Sequence, residues 1–306
     1  MKTLREVLAD ADARHVAVGH FNISDLAALK AIFEGAQELQ LPILIGVSEG
    51  ERAFIGVKQV AALIKSLREQ YDYPIFLNAD HTHSLDKAKE AAEAGFDEII
   101  FDNSSLPMDE NIANTKEAVA AIRAINPEIV IEGEIGYIGS NSEIIAARPE
   151  ASLTLSTPEE AVRFCAETGI DVLAPAVGNM HGLLKSMTTG GADAEHKHLN
   201  IERIKEIKVA IAAAAATSST GSSGARAKFM TLHGGSGTED ADFTAAAQAG
   251  MTIIHVSSEL RLAWRRGVEE GLKDPNEIAP YKIVGPAVPS IKQIVIDRLR
   301  LFNGLE

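Results

Sequence analysis

Residues 74–103 read PIFLNADHTHSLDKAKEAAEAGFDEIIFDN, two short apolar runs separated by a helical pattern. IFLNA and EIIFD are continuous rather than alternating, which suits strands covered on both faces and hence a parallel sheet. Between them Leu85, Ala88, Ala91 and Ala92 keep helical spacing, and Gly95 closes the segment as a C-cap.

Moving outward, the same alternation runs the length of the chain. Strands are expected at Val16–Asn22, Pro42–Ser48, Pro74–Asp80, Glu98–Asn103, Ile129–Gly136, Val172–Val177, Lys228–Gly235 and Thr252–Ser257. Eight strand–helix units in about 270 residues predict an α/β fold, one (β/α)8 TIM barrel spanning residues 1–306. A doubly wound sheet is the alternative, but the one G-x-G-x-x-G-like region does not follow the first strand. Pro280–Phe302 reads as an extra C-terminal helix laid against the barrel or a second subunit. Two loops are long, Tyr137–Thr157 and Ser186–Asn200, as expected of lids at the C-terminal face. The run 210–227, AIAAAAATSSTGSSGARA, is low-complexity and reads as a helix end followed by a flexible surface segment.

Composition narrows the partners. With 29 basic against 43 acidic residues the net charge is −14, which opposes a phosphate backbone, and only 5% of residues are aromatic. Nucleic acid is therefore not expected. A small anionic ligand remains open, because local amides and a metal overrule the global charge. The lone Cys165 excludes an intrachain disulfide. The N-terminus lacks an apolar signal region and no stretch approaches the ~20 residues of a membrane span, so a soluble cytoplasmic protein is expected.

Barrel chemistry collects where strands end. Of nine His, three close different strands on one rim: His81, His181 and His233. Three imidazoles on separate rigid strands, with carboxylates nearby, suit a catalytic divalent metal with an open position. If the third strand continues past Asp80, His83 faces the same way as His81 and is a candidate either to support a metal ligand or to serve as an alternative one. His196 and His198 read as solvated residues of a mobile loop, and His15 carries no functional weight. The second signal is LHGGSG (232–237), a strand delivering Gly234, Gly235, Ser236 and Gly237 before a helix from about Thr238. Such a turn is a phosphate cradle, at the place in a barrel where phosphates commonly bind. Ser258 is placed to add a hydroxyl and an amide, although Ser257 and Ser258 equally read as an N-cap.

VAVGHFNISDLAAL (16–29), PILIGVSEG (42–50), ADHTHS (79–84), EGEIGYIG (132–139), GNMHG (178–182), LHGGSG and IIHVSSELRLAW (253–264) together resemble the class II, metal-dependent ketose-bisphosphate aldolases. The resemblance implies zinc held by His81, His181 and His233, with Glu134 beside it or at an alternative site, and a second metal or monovalent cation as an option. It implies Asp80 as the acid/base at the hydroxyl or aldehyde oxygen. Ser48, Gly182, Gly235, Ser236 and Ser258 match positions around the dihydroxyacetone-phosphate end, joined by Asn22, Lys185 and Arg261; Gly234 belongs to the same cradle. A homodimer or homotetramer is implied as well.

Three motifs depart from the family. Strand eight usually carries Asn-x-Asp followed by Thr or Ser; here His255 replaces the Asn that holds substrate hydroxyls, and Ser257 the Asp facing the aldehyde half. The lid usually carries Gly-Gly-Glu-Glu; here it runs Gly139-Ser140-Asn141-Ser142-Glu143, with Glu143 the candidate carbon-proton base. Asn179 and Met180 replace small residues before the second metal His. The expected activity is cleavage of fructose 1,6-bisphosphate to dihydroxyacetone phosphate and glyceraldehyde 3-phosphate. The alternatives are a different ketose phosphate such as tagatose bisphosphate, a Schiff-base route through Lys185, a barrel metallohydrolase, and a non-catalytic pseudo-aldolase.

Overall fold

The computed structural model describes residues 2–139, 143–145, 154–188, 196–217 and 229–305. Eight parallel strands close into a barrel: β1 (Val18–Asn22), β2 (Ile43–Val47), β3 (Ile75–Thr82), β4 (Glu98–Phe101), β5 (Val130–Ile135), β6 (Val172–Pro175), β7 (Phe229–Leu232) and β8 (Ile253–Val256). Their order around the barrel follows the chain, with β1 hydrogen-bonded to both β2 and β8. Closure overrules the doubly wound alternative.

Alternation along each strand sorts the interior into layers. Val18, Leu44, Phe76, Val130, Val172, Phe229 and Ile253 form the lowest layer, packed against Leu4, Val7, Leu8 and Ala11. Those four lie on the helix Leu4–Ala13, which plugs the N-terminal mouth and begins with a capping box between Thr3 and Glu6. Two residues further along each strand the interior turns polar, with His20, Asn78, Glu98, Glu132 and His255 all buried. Asn78 donates to Glu98 at 2.7 Å. His20 and His255 stack at 3.6 Å between centroids. Gly46 makes room for them, since a Cβ there would lie 2.1 Å from the His20 ring. Another two residues up lie Asn22, Asp80, Glu134, His233 and Ser257, all among the expected site residues.

The outer core lies between strands and helices. The C-terminal helix Ala287–Asn303 packs on the barrel, against Leu26–Leu39 and Ser258–Gly271. A short parallel ribbon pairs Ile144–Ile145 with Leu183–Leu184, joining the two long loops. Residues 146–153 and 189–195 of those loops, and 218–227 of the low-complexity run, lie outside the described residues, as do Ser140, Asn141 and Ser142 of the lid motif. Among the described residues no helix is long and apolar enough to cross a membrane.

Candidate active site

The C-terminal strand ends open into a cleft of about 390 Å³. Asn22, Ser48, Asp80, His81, Glu143, His181, Gly182, Gly234, Ser236, His255, Ser257, Ser258 and Arg261 all line it. His233 and Glu134 are buried at 0% and 1% exposure and do not line it.

Beside this cleft His81, Glu134, His181 and His233 converge, with one donor atom from each within 4.8 Å of the others. β3 delivers His81 through a break in regular geometry. Its φ is +40°, and the β3–β4 register shifts between Ala79 and Thr82. This bulge turns consecutive residues toward one cleft, leaving Asp80 Oδ1 3.8 Å from His81 Nε2. Simple alternation therefore fails for Asp80 and His81, while His83 still stacks on His81 at 6.4 Å and lines the cleft at its exposed rim, bonded through Nδ1 to the Asp102 carbonyl at 3.0 Å. It is not part of the converging set.

Each ring is aimed by a neighbour. Asp102 Oδ2 lies 2.7 Å from His81 Nδ1, and its other oxygen accepts from the Ser104 amide at 3.0 Å. With the proton on Nδ1, His81 directs its Nε2 lone pair into the cluster. Glu132 does the same for His233 from below, 2.6 Å from Nε2. His233 Nδ1 then faces Glu134 Oε2 at 3.0 Å. His181 Nε2, His233 Nδ1 and Glu134 Oε2 are buried with no hydrogen-bond partner. Lone pairs facing one another across a buried space need a positive charge between them. That need shows in the titration of His233, which burial opposes but Glu132 and Glu134 raise well above its ordinary value. Burial likewise opposes a charge on His81, yet Asp80 and Asp102 raise it to about 9. His181 goes the other way, pushed down by burial and by its two sister imidazoles. The donor set fits a divalent cation of the borderline, nitrogen-preferring kind. Asp102→Asn is expected to weaken metal affinity by roughly 10–100-fold, because it loosens the ring and favours the wrong tautomer. Competition for metal against a fluorescent chelator measures this directly.

Asp80 stands beside the cluster. Asn22 Nδ2 donates to its Oδ2 at 2.7 Å and to Glu51 at 3.0 Å. Burial works against its charge, but His81, His20 and Asn22 hold Asp80 well below the usual carboxylate range. The same Glu51 accepts from Arg261 at 2.7 Å and from the Ser48 amide at 2.8 Å, so Asn22, Ser48 and Arg261 share one anchor. Across the cleft His255, pushed well below its ordinary range by burial and by His20, is neutral. Its Nε2 and the Ser257 hydroxyl are buried without partners.

At the cradle Ser236 Oγ accepts from the amides of Ser257 and Glu259 at 3.2 and 3.3 Å, fastening β7's loop to the helix Ser258–Gly271. Gly234 has φ +61°, and a Cβ there would fall 2.4 Å from the Met180 carbonyl. Two expected members fall outside. Gly235 spends its amide on the His255 carbonyl at 3.0 Å, so it packs the strand ends together and offers no open N–H. Lys185 begins the exposed 3-10 turn Lys185–Thr188 and does not line the cleft, which also removes the burial a Schiff-base lysine requires.

A family model described as fructose-bisphosphate aldolase class-II matches residues 2–305. The chain belongs to the class II fructose-bisphosphate aldolase family. It is a lyase of a metal-dependent family. The chain is 31% identical over 306 residues to the probable fructose-bisphosphate aldolase of Bacillus subtilis (strain 168), covering 99% of this chain and 97% of that one. It is 32% identical to the fructose-bisphosphate aldolase of Geobacillus stearothermophilus, over 99% and 96% of the two chains. Among solved structures, the YdjI aldolase from Escherichia coli K12 superposes with a TM-score of 0.77 over 98% of this chain and 96% of that chain. At 24% identity that likeness speaks for the fold alone.

Several residues of this aldolase-family site carry no role in the sequence reading. Asp102 and Glu132 stand out only as polar strand-end residues, although Glu132 shares its strand face with Glu134. Glu51 and Arg52 lie in the helix Glu49–Ile55, where Arg52 donates to the carbonyls of Val47 and Asp80 at 2.6 and 3.2 Å. Asn179 replaces a small residue and uses its amide to hold the His233 carbonyl at 3.0 Å. Lys197 is the largest surprise. A residue of an expected mobile loop, it is 2% exposed beneath the cleft.

Proposed function

We propose that the protein is a zinc-dependent aldolase that cleaves and forms a ketose phosphate, with fructose 1,6-bisphosphate as its first substrate. The observation that carries this is the convergence of His81, His181 and His233 from three strand ends beside a cleft that Gly182, Gly234, Ser236 and Ser258 also line. A divalent cation held there supplies Lewis-acid stabilisation of the oxyanion that carbon–carbon cleavage leaves.

The chain's own residues do the rest. Gly182, Gly234, Ser236 and Ser258 hold the phosphate of the dihydroxyacetone half, converting remote binding energy into orientation of the reacting carbons. Asp80, held ionised by its surroundings, accepts the proton of the fourth-carbon hydroxyl as the bond between carbons three and four breaks. The electron pair of that bond stays with carbon three, and Glu143, carried over the cleft by the ribbon, returns a proton to that carbon. Both are general acid–base steps.

The aldehyde half meets a neutral imidazole at His255 and a hydroxyl at Ser257, where the family places an amide and a carboxylate. This change supports a second reading, an aldolase for another ketose phosphate such as tagatose bisphosphate. The test is release of dihydroxyacetone phosphate from a panel of ketose phosphates, with EDTA and with zinc restored. EDTA-sensitive, zinc-rescued release from any member supports the aldolase reading, and the preferred member fixes the substrate. No release across the panel by zinc-loaded protein overturns it in favour of a non-catalytic barrel.

A further inference from the structure

Lys197 is a lysine spent on backbone. Its Nζ donates to the carbonyls of Met180, Gly182, Gly234 and Ser236 at 2.5, 2.7, 3.1 and 2.6 Å. An ammonium has three protons, so four acceptors around it form a cation's coordination shell more than a set of individual hydrogen bonds. Two of the carbonyls flank His181, and the other two belong to the cradle. The backbone of Lys197 is tied to the same cradle, its amide donating to the Gly237 carbonyl at 2.9 Å and its carbonyl accepting from the Glu239 amide at 3.1 Å.

The peptide groups it gathers are each employed at their other end. The N–H that follows the Met180 carbonyl, that of His181, donates to Ile138 at 2.9 Å, and the N–H after Gly182 donates to the Glu143 carbonyl at 2.9 Å. The N–H after Gly234 goes to the His255 carbonyl at 3.0 Å, and the N–H after Ser236 to the Glu259 carboxylate at 2.7 Å. One buried charge thus polarises four peptides that hold a proposed metal ligand, the lid carboxylate's backbone, β8 and the helix behind the cradle. Without a cation, four buried carbonyls would face one another unpaired, each at a desolvation cost.

We infer that Lys197 is a positioning residue: its ammonium is a tethered monovalent cation that fixes His181, Glu143 and the phosphate cradle relative to one another. The inference rests on the proposed aldolase reading for its activity readout, while its stability readout stands independently. A corollary is that the carbonyl cage accepts a free cation of suitable size once the side chain is removed.

The experiment compares wild type, Lys197→Ala and Lys197→Met in potassium, ammonium, lithium and choline chlorides at equal ionic strength. Thermal melting of the metal-free protein, zinc content, and kcat and KM on the best ketose phosphate are read in each salt. Lys197→Ala is expected to melt lower in choline, to lose roughly 10–100-fold in activity, and to regain both in potassium or ammonium. Lys197→Met, whose side chain fills the cage without charge, is expected to regain neither, and wild type to be indifferent to the salt. Wild-type melting and turnover for Lys197→Ala in choline would overturn the inference, as would equal recovery in all four salts. If the Ala variant does not fold in choline, refolding in potassium or ammonium decides: recovery there alone supports the role, and failure in every salt overturns it. If wild type cleaves no ketose phosphate the aldolase reading fails, and salt-selective melting still tests Lys197.

Discussion

Replacing His181 with alanine is expected to abolish tight metal retention and to lower ketose-phosphate cleavage by more than about 100-fold. Removing a residue that merely supports a ligand already costs roughly 10–100-fold, and a ligand itself costs more. His181 is the informative choice among the three imidazoles. Its Nε2 has no protein partner, so the substitution leaves no carboxylate stranded. His233→Ala would strand the fully buried Glu132, now 2.6 Å from the ring, and mix a folding defect with the loss of metal. Metal content by mass spectrometry after dialysis, beside a thermal melt, separates the two. Full occupancy with a lost activity would remove His181 from the ligand set.

Asp80→Ala is expected to keep the metal while losing about 10²–10⁴-fold in kcat, the range for a positioned general acid–base. The carboxylate touches the cluster only at the edge, 3.8 Å from His81 Nε2, and its hydrogen-bond partner Asn22 retains Glu51 when it goes. KM should move little, because the residues proposed to hold the substrate's phosphate, Gly182, Gly234, Ser236 and Ser258, do not include Asp80. Turnover close to that of wild type, with metal present, would assign the oxygen-bound proton to another residue. The neutral His255, 3.9 Å from Asp80, would be the next to test.

Much of this architecture is legible in the sequence because it depends on local pattern. The eight apolar runs become the eight strands, and the three histidines, near the end of β3, just after β7 and in the loop after β6, converge. Ends are less legible than centres: β6 stops at Pro175 and β7 at Leu232, short of the apolar runs, since the chain must leave the ladder to bring Met180 and Gly234 together. The helix Leu4–Ala13 had its signal in Leu4, Val7, Leu8 and Ala11 at helical spacing, with Thr3 and Glu6 placed for a capping box. Its role as a plug only follows from closure of the barrel. His83 does face the same way as His81, their rings stacked at 6.4 Å between centroids, but its Nδ1 is bonded to the Asp102 carbonyl and it stays outside the converging set, which a period of two cannot anticipate. Gly235 matched a phosphate motif by position, yet its amide is committed to β8. Lys197 was out of reach altogether, because its partners are backbone carbonyls from two loops that only the folded chain assembles.

One divalent metal is proposed to lie among His81, His181 and His233. Anomalous diffraction from zinc-loaded crystals, recorded on either side of the zinc absorption edge, tests it most directly. A single strong peak is expected within bonding distance of those three imidazoles. A peak instead in either of two further buried clusters among the described residues, His20, Asp80 and His255 or Glu132, His233 and His255, or no peak from zinc-replete protein, would contradict it.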